Sequence, residues 1–174
     1  RRRSGAGAGV LSGDGAGGKR PCAVGGGDTR VSGGSLSAAI GAGIASAGVD
    51  VLEAGMRPTH GIAGVVKDTG AAFGVVISAS HNPMPDNGIK FFARGGTKLD
   101  DALEDAIEAR LGERWARPLG AGVGRVRDDP ALVEAYIAHL VGSLGHPVSL
   151  DGLTVVVDCA NGSAYQTAPA AVAS

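Results

Sequence analysis

The stretch FGVVISASHNPMPDNGIKFF, residues 73–92, determines the expected fold. Its first five residues are apolar or glycine and do not alternate with polar ones, which is typical of a parallel strand buried on both faces. A small polar segment follows, and the chain returns as a second strand over residues 88–92, which carries Lys90. Ligands of α/β sheets bind beyond the carboxyl ends of strands, so Ser80 and His81 lie where a substrate is expected.

Strand and helix patterns alternate before this stretch. Residues 22–24 and 49–52 are short apolar runs that predict strands. Between them, three aliphatic residues recur at every fourth position and predict one face of a helix: Leu36, Ile40 and Ile44. Another helix is expected from residue 57 to about residue 67. The alternation predicts a three-layer α/β/α domain with a mixed, mostly parallel sheet.

Two further helices are expected after the stretch. Asp101 and Glu104 have the spacing of a capping box, and the helix they start has three candidates for a buried stripe: Leu103, Ile107 and Leu111. A later helix is expected to start at Asp129-Pro130, with Asp129 as the acceptor cap and Pro130 at the first helical position. Residues 114–127 between the two helices have the composition of a surface loop. Residues 153–157, LTVVV, predict a new buried strand.

These patterns divide the chain into three parts. Residues 1–20 are mostly Gly, Ala, Ser and Arg, a composition that predicts disorder. Residues 21–148 form one expected domain, and residues 149–174 are the expected, truncated start of a second. We therefore expect the chain to be a fragment.

Composition excludes several classes of function. Sixteen basic and seventeen acidic residues leave a net charge of −1, and the only basic cluster is residues 1–3, so nucleic-acid binding is not expected. No apolar run approaches the roughly 20 residues that span a bilayer, so a membrane partner is not expected either. Cys22 and Cys159 have no metal-ligand spacing and are expected to be reduced thiols, which fits a cytoplasmic protein.

The residues around Ser80 restrict its chemistry. A serine hydroxyl is a poor nucleophile without a base, whereas a phosphoserine can donate its phosphoryl group when cations neutralise the developing charge. No acidic cluster surrounds Ser80, so a divalent metal would need carboxylates from elsewhere. A Ser-His pair alone is usually ordinary loop sequence, and the longer pattern around it carries the functional interpretation.

That longer pattern resembles the active-site loop of the α-D-phosphohexomutase family. The resemblance rests on residues 78–83, SASHNP, and 87–92, NGIKFF. Residues 28–33, DTRVSG, resemble the family's arginine-bearing loop after its first core strand, and residues 155–162, VVVDCANG, resemble the start of its second domain. Two stretches resemble the phosphoglucosamine mutase branch more than the phosphomannomutase or phosphoglucomutase branches: residues 77–79, ISA, and Phe91-Phe92 followed by Gly95-Gly96-x-Lys98-Leu99.

The resemblance assigns roles to individual residues. It implies that Ser80, and not Ser78, is the phosphorylated residue, that Lys90 is a general acid or base, and that His81 is its neighbour in the site. The substrate and phosphate environment is expected to include Arg30, Asn82 and Asn87. Ordinary alternatives stay open: a loop or capping role for His81, a solvated strand lysine at Lys90, and an ion pair with Asp28 for Arg30.

The implied reaction interconverts glucosamine 6-phosphate and glucosamine 1-phosphate through phospho-Ser80 and a bisphosphorylated intermediate. The implied cofactor is Mg²⁺, bound by a phosphate oxygen on Ser80 and by aspartates expected beyond Ser174. The partners would be a hexosamine phosphate and the missing domains of the same chain. Phosphomannomutase or phosphoglucomutase activity is the alternative. The family's opening Gly-Thr-x-Gly-x-Arg-Gly segment is absent, so an inactive truncated module is a further alternative.

Overall fold

A computed structural model describes residues 20–146 and 148–174. The segment 1–20, for which the sequence predicts disorder, lies outside the described residues except for Arg20. Within the described ranges, no helix combines the length and the apolar character that a membrane crossing requires.

Five strands form one mixed sheet. In chain order they are Cys22–Gly27 (β1), Asp50–Met56 (β2), Phe73–Ile77 (β3), Ile89–Ala93 (β4) and Val126–Asp128 (β5). The order across the sheet is β4-β3-β1-β2-β5. The pairs β1 with β2, β1 with β3 and β2 with β5 are parallel, and β4 runs antiparallel to β3. The prediction of a mixed, mostly parallel sheet is confirmed.

Helices cover both faces of this sheet. They are Gly33–Ser46 (α1), Thr59–Thr69 (α2), Asp101–Glu108 (α3), Ala131–Gly142 (α4) and Thr167–Val172 (α5). On one face, α2 and α4 bury Ile62, Val66 and Tyr136 against Val24 and Val76 of the sheet. On the other face, Ile40 and Ile44 of α1 pack against a second cluster that contains Ala23, Phe73 and Val75. The expected three-layer α/β/α architecture is confirmed.

Strand β3, which lies between β4 and β1, is buried along its whole length. Its second residue must be small, because a Cβ on Gly74 would lie 2.4 Å from Cγ2 of Val66 in α2. Glycine therefore allows α2 to pack closely on the strand that leads to Ser80.

Three strands end side by side at one edge of the sheet. Gly27 of β1 pairs with Ile77 of β3 and with Met56 of β2. The chain leaves these strands at Asp28, Ser78 and Arg57, which gathers three polar side chains at the carboxyl edge.

Residues 100–111 differ from the expectation. Asp100 caps α3 by accepting a hydrogen bond from the Ala102 N–H at 2.9 Å, so Asp101 is the first helical residue and the capping box expected there is wrong. No residue of α3 is buried, and Leu111 lies beyond the helix end with 77% of its surface exposed. The expected buried stripe is also wrong: Leu103 and Ile107 are only half-buried, and neither belongs to the two core clusters.

The sequence-based interpretation of residues 114–127 as a loop misses β5. This strand has only three residues, all exposed, and it is defined by its parallel pairing with β2. Pairing with a neighbour, rather than an apolar pattern of its own, makes this segment a strand.

Residues 153–157 are not a strand in this structure, so that prediction is wrong. The segment is exposed, with Val156 at 90%, and no described strand pairs with it. The chain then returns to the body of the domain: Thr29 Oγ1 donates a hydrogen bond to the Asn161 carbonyl at 2.8 Å, and α5 packs against α4.

Candidate active site

The loop after β3 presents Ser80 at the carboxyl edge of the sheet. The Ser78 N–H donates to the Gly88 carbonyl at 2.8 Å, which closes the base of the loop. Residues 80–86 are all exposed. Ser80 has φ 57°, in the left-handed region that costs an L-residue roughly 1–2 kcal/mol. The surroundings of the loop must therefore hold this conformation.

Ser78 connects Ser80 to the end of β1. The Ser78 hydroxyl is buried with its residue and donates to Asp28 Oδ2 at 2.7 Å, while its oxygen accepts from the Ser80 N–H at 3.0 Å. The Asp28 N–H in turn donates to the Ile77 carbonyl at 3.1 Å. Ser78 is thus an internal bridge, whereas Ser80 faces solvent.

Arg30 contacts the same loop from β1's side. Its guanidinium forms an ion pair with Asp28 and donates to three main-chain carbonyls of the loop: Asp86 at 2.8 Å, Asn82 at 2.7 Å and Ser80 at 3.3 Å. The ion pair that the sequence left open is therefore present, and it occurs together with contacts to the Ser80 loop. All three guanidinium nitrogens therefore donate to protein acceptors.

The other predicted residues lie on or beside the loop. His81 is exposed next to Ser80. Asn82 is also exposed, and its amide donates to Asp86 Oδ2 at 3.4 Å. Asn87 donates to Ser32 Oγ at 2.9 Å, and its Oδ1 accepts from the N–H of the next residue at 2.8 Å.

Lys90 lies on β4, beside the loop rather than within it. It is partly buried and pairs with Val76 in the antiparallel register. Because β4 begins at Ile89, Lys90 lies near the edge at which Ser80 follows β3.

Sequence reasoning missed a buried arginine at this edge. Arg57 is only 7% exposed, and its main-chain N–H donates a hydrogen bond to the Gly27 carbonyl at 2.9 Å. Its Nη1 donates to Gln166 Oε1 at 2.8 Å, and its Nε has no partner within the described ranges. Burial lowers the pKa of the Arg57 guanidinium, and the charge of Tyr165 opposes this effect. The sequence offers no direct signal for it, because the expected strand ends at residue 52, whereas β2 runs to Met56 and Arg57 follows it directly.

A partly buried carboxylate lies behind the edge, on β2. Glu53 accepts a hydrogen bond from Ser37 Oγ at 3.2 Å, and a Cβ on Gly25 would lie 2.8 Å from its Oε2. Burial raises the pKa of Glu53, the Ser37 hydrogen bond opposes this, and Asp128 adds to it. This carboxylate packs against the sheet backbone below α1, and its hydrogen bond goes to that helix rather than to the Ser80 loop.

The described residues alone do not fit a divalent-metal site. They contain no group of three or more His, Cys, Asp or Glu side chains that could hold an ion. The carboxylate nearest to Ser80 along the hydrogen-bond network is Asp28, and its oxygens already accept from Arg30 and Ser78. What the edge does provide is an exposed serine hydroxyl on a loop held by hydrogen bonds.

Comparison with known proteins gives consistent matches. Residues 4–116 match the family model described as Phosphoglucomutase/phosphomannomutase, alpha/beta/alpha domain I. The chain is similar to the phosphoglucosamine mutase of Nocardioides sp. (strain ATCC BAA-499 / JS614), at 59% identity over 155 residues, which is 89% of the chain and 34% of that protein. It is equally similar to the phosphoglucosamine mutase of Thermobifida fusca (strain YX), at 59% identity over 163 residues, 94% of the chain and 36% of that protein.

Solved structures agree with the sequence matches. A phosphoglucomutase/phosphomannomutase family protein from Burkholderia thailandensis is 27% identical with a TM-score of 0.57, over 70% of this chain and 27% of that chain. A Thermus thermophilus protein assigned as a phosphomannomutase is 32% identical with a TM-score of 0.59, over 71% and 28% of the two chains. The chain thus spans about a third of the length of the curated relatives.

Proposed function

This chain belongs to the phosphoglucomutase/phosphomannomutase family, and we propose that it supplies Ser80 as the phosphoryl carrier of a phosphoglucosamine mutase. The observation that carries the proposal is the position of Ser80. It is exposed on a loop that follows a fully buried strand, at the edge where α/β sheets bind ligands.

The proposed reaction has two transfers. In the first, the P–Oγ bond of phospho-Ser80 breaks and a P–O bond forms to O1 of glucosamine 6-phosphate, while the O1 hydroxyl proton passes to a base. The product of this step is glucosamine 1,6-bisphosphate. In the second, the phosphoryl group on O6 returns to Ser80 Oγ, O6 takes a proton, and glucosamine 1-phosphate leaves. Catalysis of this kind depends mainly on positioning and on charge stabilisation.

Two side chains beside Ser80 are proposed to handle protons and charge. Lys90 enters from the start of β4, and His81 follows Ser80 directly. We assign Lys90 the acid and base role at the sugar hydroxyl and His81 a contact with the transferring phosphoryl group. Asn82 and Asn87 shape the phosphate environment through the loop hydrogen bonds described above.

The proposed cofactor of the whole protein is Mg²⁺. This ion prefers oxygen ligands and would stabilise charge on a transferring phosphoryl group. From this chain it would take only a phosphate oxygen on Ser80, since the described residues do not form an acidic site of their own.

The sugar is proposed from the relatives. Proteins that are 54–59% identical to this chain are named phosphoglucosamine mutases, whereas structural neighbours at 27% and 32% identity have phosphomannomutase or phosphoglucomutase names. We therefore favour a hexosamine phosphate over mannose and glucose phosphates.

The remaining parts of the site are proposed to come from further domains of the same polypeptide. We propose that residues 21–148 form the carrier domain and that residues 149–174 begin a second one. Both cysteines are free thiols, and we propose a cytoplasmic location, where thiols remain reduced.

Turnover by the full-length polypeptide that contains this chain tests the proposal. We expect interconversion of glucosamine 6-phosphate and glucosamine 1-phosphate, and loss of turnover to background in Ser80→Ala, because no carrier oxygen remains. The matched control is Ser35→Ala, another exposed serine, which is expected to keep the parent rate.

Two results would contradict the proposal. Parental turnover by Ser80→Ala would remove Ser80 as the carrier. Higher kcat/KM with mannose 1-phosphate or glucose 1-phosphate than with glucosamine 1-phosphate would overturn the sugar assignment and leave the carrier assignment intact.

A further inference from the structure

We propose that Asp28, Arg30 and Ser78 form a clasp that positions the phosphoryl carrier, with Arg30 acting through the loop backbone rather than on phosphate. The clasp is defined as these three side chains and their hydrogen bonds to residues 80–86. Its effect on turnover rests on the function proposed above, whereas its effect on the loop does not.

The hydrogen bonds of Arg30 show that its guanidinium is already bound by protein atoms. A phosphate-binding arginine presents a free fork of N–H groups to its ligand. The Arg30 fork instead points at main-chain carbonyls of Ser80, Asn82 and Asp86, which are spread over the whole outer part of the loop. The Arg30 side chain is only 10% exposed among these contacts, so it supports the loop structurally.

Asp28 orients the Arg30 side chain. Its Oδ2 pairs with the guanidinium, and its Oδ1 accepts a hydrogen bond from the main-chain N–H of Arg30 at 3.1 Å. Asp28 is itself held to the end of β3 through the Ile77 carbonyl. The clasp therefore begins on β1 and β3, two neighbouring strands in the interior of the sheet.

Ser78 carries the second contact to the loop. Its hydroxyl bridges the Asp28 carboxylate and the Ser80 N–H, at 2.7 and 3.0 Å. One carboxylate thus controls the Ser80 backbone on both sides, through Ser78 at the N–H and through Arg30 at the carbonyl. This arrangement stabilises the left-handed φ of 57° at the residue that bears the reactive oxygen.

The exposure of the loop gives the clasp its importance. Residues 80–86 are exposed throughout, so apolar packing does not fix them. Their position depends on backbone hydrogen bonds, and the clasp provides those that reach the sheet. A displacement of about 1 Å at a reacting group can cost on the order of 100-fold in rate.

Hydrogen exchange on this chain tests the clasp directly. In Arg30→Ala we expect faster amide exchange at the non-proline residues of 80–87, with the exchange of β1 and β3 unchanged, because only the loop loses its contacts. The matched control is Arg94→Ala, an exposed arginine in the turn after β4, which should leave the loop unchanged. Since loss of a buried arginine could also unfold the domain, Ser78→Ala provides a smaller perturbation that should release the Ser80 amide. Unchanged loop exchange in both clasp variants would overturn the proposal.

Turnover in the full-length polypeptide tests the positioning role. We expect Arg30→Ala and Ser78→Ala to lower kcat by about 10- to 100-fold while the KM for glucosamine 6-phosphate changes less than about threefold. Arg30→Lys keeps the charge but not the fork, so it should recover only part of the rate. Full recovery by Arg30→Lys, or a raised KM with unchanged kcat, would show charge-based phosphate binding and contradict the clasp.

The two proposals fail separately. If Ser80→Ala keeps parental turnover, the carrier assignment is lost, but the exchange result for the clasp still stands. If loop exchange is unchanged in the clasp variants while Ser80→Ala is inactive, the clasp is wrong and the carrier assignment remains.

Discussion

Two apolar pentapeptides of this chain have nearly the same pattern and opposite environments. Residues 73–77, FGVVI, form β3 and are buried along their length. Residues 153–157, LTVVV, are exposed and pair with no described strand. Both lead into small polar turns with left-handed residues, Ser80 after the first and Ala160 with Asn161 after the second.

The difference lies in what surrounds each segment. β3 lies between β1 and β4, with α1 on one face and α2 on the other. The described residues provide no such neighbours for 153–157. An apolar run therefore shows that a segment can be buried, while residues distant in sequence decide whether it is.

The largest expected difference between the two segments is in stability. Phe73→Ala should lower the free energy of unfolding by about 3–5 kcal/mol, because a fully buried ring is removed from a packed core. Leu153→Ala should change it by less than about 0.5 kcal/mol, because Leu153 is 66% exposed. Urea titration of both variants of this chain measures the contrast.

A similar loss of unfolding free energy in the two variants would contradict this contrast, since it would place Leu153 in a packed environment. Measuring the same two variants in the full-length polypeptide extends the test. If residues 149–174 begin a second domain, as proposed, Leu153→Ala becomes costly there while Phe73→Ala costs the same in both.

A smaller effect is expected from exchanging the second residues of the two segments. Gly74→Thr should destabilise this chain by about 1–3 kcal/mol, because its Cβ would already overlap Val66 and valine is stiff at χ1. Thr154→Gly, the reverse change in the exposed segment, should have almost no effect. Thermal unfolding of the two variants measures this, and equal midpoints would mean that α2 does not approach β3 as closely as described.

The parts of the fold with strong local patterns could be predicted from the sequence. The apolar runs of β1 and β3 and the aliphatic spacing of α1 predict strands and a helix close to the observed ones. β5 could not be found this way, because Val126, Arg127 and Asp128 have no apolar pattern and become a strand only by pairing with β2. Segment 153–157 is the opposite case: its apolar pattern predicts a strand, but the segment is exposed and pairs with no described strand.

The candidate site likewise has residues that the sequence predicts and contacts that it does not. Ser80, His81 and Lys90 belong to a distinctive motif, so the sequence pointed to them. The clasp could not be predicted, because it depends on the side chains of Asp28 and Arg30 meeting a loop about 50 residues later, as the 2.7 Å bond from Arg30 to the Asn82 carbonyl illustrates. The sequence left the ion pair and the active-site role of Arg30 as alternatives, whereas the structure shows the pair and the loop contacts together.

The position of phosphate on the chain tests the central claim most directly. Cleavage after Lys67 and Lys90 releases residues 68–90, a peptide with three hydroxyl side chains, Thr69, Ser78 and Ser80. After incubation of the full-length polypeptide with glucosamine 1,6-bisphosphate, fragmentation of this peptide by mass spectrometry should place a single phosphate on Ser80. Phosphate on Ser78, or an unmodified peptide from a preparation that turns over glucosamine 6-phosphate, would contradict the account.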